Sequence, residues 1–210
     1  NQKGKEASYK KLVKDALEAD IVLFGELHNN PISHWMQLEL TKTLFAEKGT
    51  DLILGAEMFE TDNQLMMDEY LEGKVKNSNF EGEAKLWKNY KTDYKPLVEF
   101  AKENKLKFIA TNVPRRYASL VHSEGFEGLD ELTDAAKALL PELPIDYDPD
   151  LPGYKSMMEM MSGMGGNHQP NPNLPKAQAI KDATMANSIL ENFKPGKLII
   201  HYNGAYHSNN

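Results

Sequence analysis

Two short segments of this chain combine a glycine and a histidine at the same spacing. Gly25–His28 directly follows the apolar run Ile21–Phe24, and Gly204–His207 follows the run Lys197–Asn203. A buried parallel strand delivers the residues after it to the carboxyl edge of the sheet, where open α/β sheets place their ligand sites. Although one Gly-x-x-His segment can arise by chance, two after β-like runs predict one composite site.

Carboxylates accompany these histidines. Glu26 lies two residues before His28, and Glu57 lies near the end of another apolar run. A carboxylate and an imidazole in one pocket can exchange protons or bind a divalent cation. Glu26, His28, Glu57 and His207 are therefore the candidate catalytic residues, and His28, His207 and Glu26 are candidate metal ligands.

The same residue types also have ordinary structural roles. Glu26 can cap a helix terminus and His28 can bond a carbonyl group. Arg115 and Arg116 follow a third apolar run, so Glu57 can instead be the ion-pair partner of one of these arginines. The residues leave these alternatives open.

A second candidate region lies in the segment Pro141–Pro175, which is the part of the chain least typical of regular structure. Its methionines, within Met157–Met164, give either core packing or an adaptable apolar surface for a large flat ligand. Tyr147, Tyr154 and His168 flank or follow them, and phenolate and imidazole both bind haem iron. Because the chain has no cysteine, haem would be held non-covalently.

The alternation of elements predicts the fold. Segments with helical periodicity separate four apolar runs, which is typical of a three-layer α/β/α domain with a mostly parallel sheet. We expect one domain over residues 1–210, with a helical, loop-rich insertion at about 141–175. The predicted strands are Ile21–Phe24, Asp51–Phe59, Lys107–Asn112 and Lys197–Asn203; the predicted helices include Tyr9–Ala19, Gln64–Leu71, Leu86–Tyr90, Tyr94–Asn104 and Lys176–Asn192, with a polar stretch at Glu72–Glu83.

Composition excludes some classes of protein. The net charge of −7 argues against a nucleic-acid surface, and no apolar run approaches the ~20 residues of a membrane span. The chain begins at Asn1 without methionine and stops three residues after His207. We therefore expect a removed leader or lipid anchor and an incomplete C-terminus.

Several motifs together carry a family resemblance. In order, they are Gly25–His28, Glu57–Phe59, Asn112–Arg115, the helix Lys176–Ala186 with its Gln-x-x-x-Asp-Ala-Thr-Met-Ala sequence, and Asn203–His207. This series resembles the ChaN family of haem-binding lipoproteins, in the superfamily that includes erythromycin esterase, TraB and the Tiki proteins. The chain departs from the family at Met164–His168, before the Ala-Thr-Met helix.

The resemblance implies a haem-binding lipoprotein of bacterial iron or haem acquisition, at or near the outer membrane and facing the periplasm. It implies a homodimer that binds haem at its subunit interface, with possible outer-membrane haem or iron transport components as partners. Tyr154, His168 and Tyr147 are then the candidate haem contacts, in a region separate from the sheet edge. The Tiki branch implies the alternative, a metal-dependent hydrolase that uses the paired Gly-x-x-His segments.

Overall fold

The computed structural model describes residues 6–163 and 171–208 of the 210-residue chain. Within these residues it has four strands and nine α-helices. In chain order they are α1 (Tyr9–Leu17), β1 (Ile21–Glu26), α2 (Pro31–Lys48), β2 (Leu52–Glu60), α3 (Gln64–Leu71), α4 (Asn77–Glu83), α5 (Lys95–Glu103), β3 (Lys107–Asn112), α6 (Arg115–Glu124), α7 (Asp134–Lys137), α8 (Pro152–Gly163), α9 (Leu174–Asn192) and β4 (Leu198–Gly204).

The four strands form one parallel sheet in the order β1-β4-β2-β3. The central strands β2 and β4 are buried along their whole length, as is usual where helices cover both faces of a sheet. The pairing of β2 with β3 shifts register between Ala56 and Glu60. All strands run in one direction, so their carboxyl ends lie along a single edge.

Alternate side chains of the sheet pack into two apolar layers. On one face Leu54 and Ile200 belong to the main core, which also includes residues of α1 to α5. On the other face Ile53, Ile109 and Ile199 pack with Ile189 of α9. A further cluster joins α9 to α6. The predicted three-layer α/β/α fold with a parallel sheet is confirmed.

Local predictions fail in the segment between α3 and α5. Asn77–Glu83, within the predicted polar stretch, is helical and buries Phe80. Leu86–Tyr90 is not an α-helix; a π-helical turn follows instead at Tyr90–Tyr94. This segment makes its tertiary contacts through aromatic rings, since Tyr90 packs near Phe80 and Phe59. Tertiary packing has overridden the short-range pattern there.

Within the described part of the insertion, residues 141–163 and 171–175, the long element α8 spans Pro152–Gly163. Two of its methionines, Met160 and Met161, are exposed, so core packing does not explain them. Among the residues that the structure describes, no helix is both long enough and apolar enough to cross a membrane.

Candidate functional site

The two Gly-x-x-His segments lie side by side because β1 and β4 are neighbours in the sheet. Their strands pair with Gly25 opposite Asn203 and Glu26 opposite Gly204. After β1, Asn30 caps α2 through its side-chain oxygen, which accepts from the backbone N–H groups of Ile32 and Ser33. This cap turns the chain immediately after His28.

The four predicted residues converge on Gly204. A Cβ atom placed on this glycine would lie 2.7 Å from His28 Nε2 and 3.5 Å from Glu57 Oε2. The backbone N–H of Gly204 donates to Glu57 Oε2 at 2.7 Å, and Glu57 Oε1 lies 3.3 Å from His207 Nε2. Glu26 joins the group because its carboxylate accepts from His28 Nδ1 at 2.8 Å. The structure thus brings Glu26, His28, Glu57 and His207 to one place.

Glu26 is a fully buried carboxylate with a complete set of partners. Tyr94 donates its hydroxyl to Oε1 at 2.7 Å, and the side-chain amide of Gln37 donates to Oε2. The imidazole of His34 lies 3.4 Å from Oε2. Buried carboxylates are stable only with such partners, so this network fixes Glu26 and, through it, the ring of His28.

His28 has one ring nitrogen bound and one facing the site. Glu26 holds Nδ1, which leaves Nε2 toward Gly204. The His28 carbonyl accepts from His34 Nε2 at 3.1 Å and from the amide of Asn89 at 3.0 Å. The hydrogen bond to Glu26, together with the negative charge of Glu57, raises the pKa of His28 despite burial. A carboxylate–imidazole pair with one free nitrogen is suited to proton transfer.

Glu57 and His207 form a buried ion pair. Burial alone would raise the pKa of Glu57, but the hydrogen bond and charge of His207 outweigh it and hold that pKa at about 2. Burial alone would likewise lower the pKa of His207, but Asp182 and Glu57 outweigh it and raise that pKa to about 9. His207 is therefore an imidazolium between two carboxylates at neutral pH.

Two side chains of helix α9 contact the ring of His207. Asp182 accepts a hydrogen bond from His207 Nδ1 through Oδ1, and the amide of Gln178 lies 2.8 Å from His207 Nε2. Gln178 and Asp182 are four residues apart and so share a helix face. Both belong to the sequence motif of this helix that carries the family resemblance.

Tyr154 of α8 reaches the same carboxylate. Its hydroxyl donates to Asp182 Oδ2 at 2.9 Å, and its ring lies 5.6 Å from that of Tyr147. A cavity of about 330 Å³ lies beside these groups, lined by Leu151, Pro152, Gly153, Tyr154, Asp182, Tyr206 and His207. The two predicted regions therefore adjoin, because Asp182 contacts both Tyr154 and His207.

The remaining predicted residues have other positions. His168 lies outside the described residues. Arg115 bonds Glu60, and Arg116 bonds Asp62, so the alternative that pairs Glu57 with either arginine is wrong.

The metal prediction for His28, His207 and Glu26 finds no support. Over residues 6–163 and 171–208, no three His, Asp or Glu side chains are arranged to hold an ion. The contacts explain this result, because Glu26 Oε1 is bound to Tyr94 and His28, and His207 is bound on both sides of its ring.

Sequence reasoning missed the residues that position the site. They are His34 and Gln37 on α2, Tyr94 before α5, and Gln178 and Asp182 on α9. Of these, only Gln178 and Asp182 could have been identified from the sequence, because their spacing of four in the motif helix places both on one helix face.

Gly204 offers a way to move His28 without disturbing the fold. We expect Gly204→Ala to displace the His28 ring and to cost less than about 1 kcal/mol, because the clash meets the end of a side chain that is 40% exposed. Gly25→Ala is the matched control: its Cβ would lie 3.0 Å from the backbone Cα of Ala205, and we expect a cost of about 1–3 kcal/mol. Urea unfolding and histidine NMR measure both effects. Equal stability losses with an unmoved His28 signal would contradict this assignment.

Comparisons with known proteins bear on the family and the fold. Residues 12–210 match the family described as "Haem-binding uptake, Tiki superfamily, ChaN". The fold is similar to ChaN of Campylobacter jejuni, whose structure shows cofacial haem binding, with a TM-score of 0.71 at 17% identity over 98% of this chain and 78% of that one. It is also similar to RRSP, a MARTX toxin effector domain from Vibrio vulnificus CMCP6, with a TM-score of 0.54 at 15% identity over 95% of this chain and 30% of that one.

One curated relative matches by sequence. It is the chloroplastic protein RETICULATA-RELATED 5 of Arabidopsis thaliana, which is 27% identical over 128 residues. The match covers 58% of this chain and 17% of the plant protein, so the chain spans less than a fifth of that relative. The family match, in contrast, covers nearly the whole chain, and the chain belongs to the ChaN family of the Tiki superfamily.

Proposed function

We propose that this protein binds haem non-covalently and acts in haem or iron acquisition. Membership of the haem-binding uptake family supports haem as the ligand. The observation that supports a location for haem is the cavity lined by Tyr154 together with Leu151, Pro152 and Tyr206. Tyrosine is a known axial ligand of haem iron, and Tyr154 is the candidate for that role.

The cavity fits part of a haem. At about 330 Å³ it is smaller than the porphyrin, so one copy of this chain would cover only a portion of the ligand. Met160 and Met161, exposed on the helix that also carries Tyr154, would extend the apolar surface. We propose that a second copy covers the rest, in a homodimer that holds haem at its interface.

The charges around the cavity restrict how haem would lie. His207 is already matched by Glu57 and Asp182, so the group as a whole carries a net negative charge. Haem propionates would be repelled there and should point away from this wall. The proposal therefore gives His207 no propionate contact.

A haemin titration tests the proposal. We expect a saturable shift of the Soret band at one haemin per chain, charge-transfer bands of a tyrosinate–iron complex, and a shift toward dimer in size-exclusion chromatography. Iron-free protoporphyrin IX is the control that separates iron ligation from apolar binding. No spectral change at stoichiometric protein would refute haem binding, and saturation without dimerisation would refute the interface.

The cellular setting is part of the same proposal. An outer-membrane lipoprotein that faces the periplasm would pass haem to or from outer-membrane transport components. Fractionation of the native host, together with metabolic labelling of the full gene product by a fatty acid, tests this; an unlabelled product outside the membrane fraction would refute the anchoring.

A second candidate function is hydrolysis by proton transfer at Gly204. The specific observation is that the pair Glu26–His28 leaves His28 Nε2 facing the Glu57 carboxylate. His28, oriented by Glu26, would act as general base on water. Peptide and ester substrates should be hydrolysed by the native chain and not by His28→Ala; equal turnover by both would exclude this role.

A further inference from the structure

Helix α9 connects the sheet edge with the cavity through polar side chains. Its two polar signature residues, Gln178 and Asp182, both contact the ring of His207. Asp182 is only partly buried, with its side chain 32% exposed, whereas the side chain of His207 is 7% exposed. The carboxylate of Asp182 therefore lies at the boundary between the buried sheet edge and the cavity.

The two oxygens of Asp182 serve different partners. Oδ1 accepts from the imidazolium of His207, and Oδ2 accepts from the hydroxyl of Tyr154 at 2.9 Å. The backbone next to Tyr154 is also held, since Tyr206 donates its hydroxyl to the carbonyl of Gly153. Only 8% of Tyr154 is exposed, so its ring is restricted both by the surrounding side chains and by the hydrogen bond to Asp182.

We propose that Asp182 is the positioning residue for Tyr154, holding its phenol toward the cavity while His207 fixes the carboxylate. This inference rests on the proposed haem-binding function. Ligands of a metal are usually oriented by hydrogen bonds from a second layer of residues, and loss of such a partner typically costs about 10–100-fold in metal affinity. If Tyr154 bound iron as tyrosinate, its proton would pass to Asp182 Oδ2, and the carboxylic acid so formed would donate back to the phenolate oxygen, so that the hydrogen bond is kept.

His207 is the reason that the carboxylate stays in place. A lone, half-exposed aspartate would be free to rotate toward water, but the charge-assisted bond to His207 fixes one of its oxygens. His207 is in turn fixed by Glu57, which the backbone N–H of Gly204 anchors to β4. The position of Tyr154 is thereby tied to the sheet edge, although Tyr154 itself lies on the peripheral helix α8.

A double-mutant cycle in haemin affinity tests the inference. Asp182→Ala should weaken haemin binding about 10–100-fold in the native chain and have no further effect in the Tyr154→Phe background, because both changes remove one interaction. Asp182→Asn, which keeps one acceptor oxygen, should recover part of the loss. Asp146→Asn, on the exposed segment before Tyr147, is the matched control and should bind as the native chain does.

Two further readouts separate positioning from general damage. The tyrosinate–iron charge-transfer band should shift in Asp182→Ala, whereas the affinity for iron-free protoporphyrin IX should stay close to native. Because Asp182→Ala removes a partner of both His207 and Tyr154, its thermal midpoint should fall, and affinities are compared at a temperature at which circular dichroism shows the variant folded. Equal effects of Asp182→Ala in the native and Tyr154→Phe backgrounds would overturn the inference while leaving haem binding intact. Absence of haemin binding by the native chain would refute the proposed function, and the inference with it.

Discussion

Replacing Glu26 with alanine should lower the free energy of unfolding by about 3 kcal/mol, as measured by urea unfolding at neutral pH. The substitution leaves the buried donors of Tyr94 and Gln37 without an acceptor and frees the ring of His28. An unpaired buried polar group costs about 1–3 kcal/mol, and the removal of one partner of a buried charge network costs about 3–5 kcal/mol. We expect a value at the lower end of the second range because the freed ring of His28 can form hydrogen bonds with water.

Two companion variants make this result specific. Glu26→Gln keeps the shape and one acceptor oxygen, so it should lose about half as much stability. Glu47→Ala removes an exposed glutamate from α2, the helix that also carries Gln37, and its effect should stay within about 0.5 kcal/mol. If Glu26→Ala cost no more than Glu47→Ala, the network around Glu26 would not stabilise the fold, and the orientation of His28 would need another cause.

The sheet and the position of the site could be predicted from the sequence because both depend on local patterns. Continuous apolar runs mark buried parallel strands, and β3 was predicted with its observed ends, Lys107–Asn112. Polar residues that directly follow such strands must lie at one sheet edge, whatever the order of the strands. His28 and His207 lie at the same edge for this reason, although they come from opposite ends of the chain.

The partners of these residues could not be predicted in the same way. Gln37, Tyr94 and Asp182 reach the site from helices, and which helix face turns toward the edge depends on packing between distant segments. Tyr154 illustrates the limit: its side chain was identified as a candidate, but its contact with Asp182 depends on how α8 lies against α9. Strand periodicity carries no information about that contact.

The buried pair of Glu57 and His207 predicts a pH range of greatest stability. The pKa of His207 is raised from 6.5 to about 9, so its contribution is complete below pH 6.5 and is lost as the pH rises through 9. The pKa of Glu57 is lowered from 4.5 to about 2, so its contribution is complete above pH 4.5 and is lost as the pH falls through 2. The pair should therefore stabilise the fold most between about pH 4.5 and 6.5.

The alkaline limb of this profile is the sharper test. At about 1.4 kcal/mol per pKa unit, deprotonation of His207 should cost about 3 kcal/mol in unfolding free energy by pH 10, measured by urea unfolding at intervals from pH 6 to 10. His207→Gln removes this titrating group, so its stability should be lower at pH 6 and should fall much less than that of the native chain over the interval, with His28, whose pKa is also raised, as the source of the remaining slope. Parallel pH profiles for the native chain and His207→Gln would show that His207 is neutral in the fold. Asp182 and Glu57 would then be unmatched carboxylates, and the chain of contacts from the sheet edge to Tyr154 would lose its central charge.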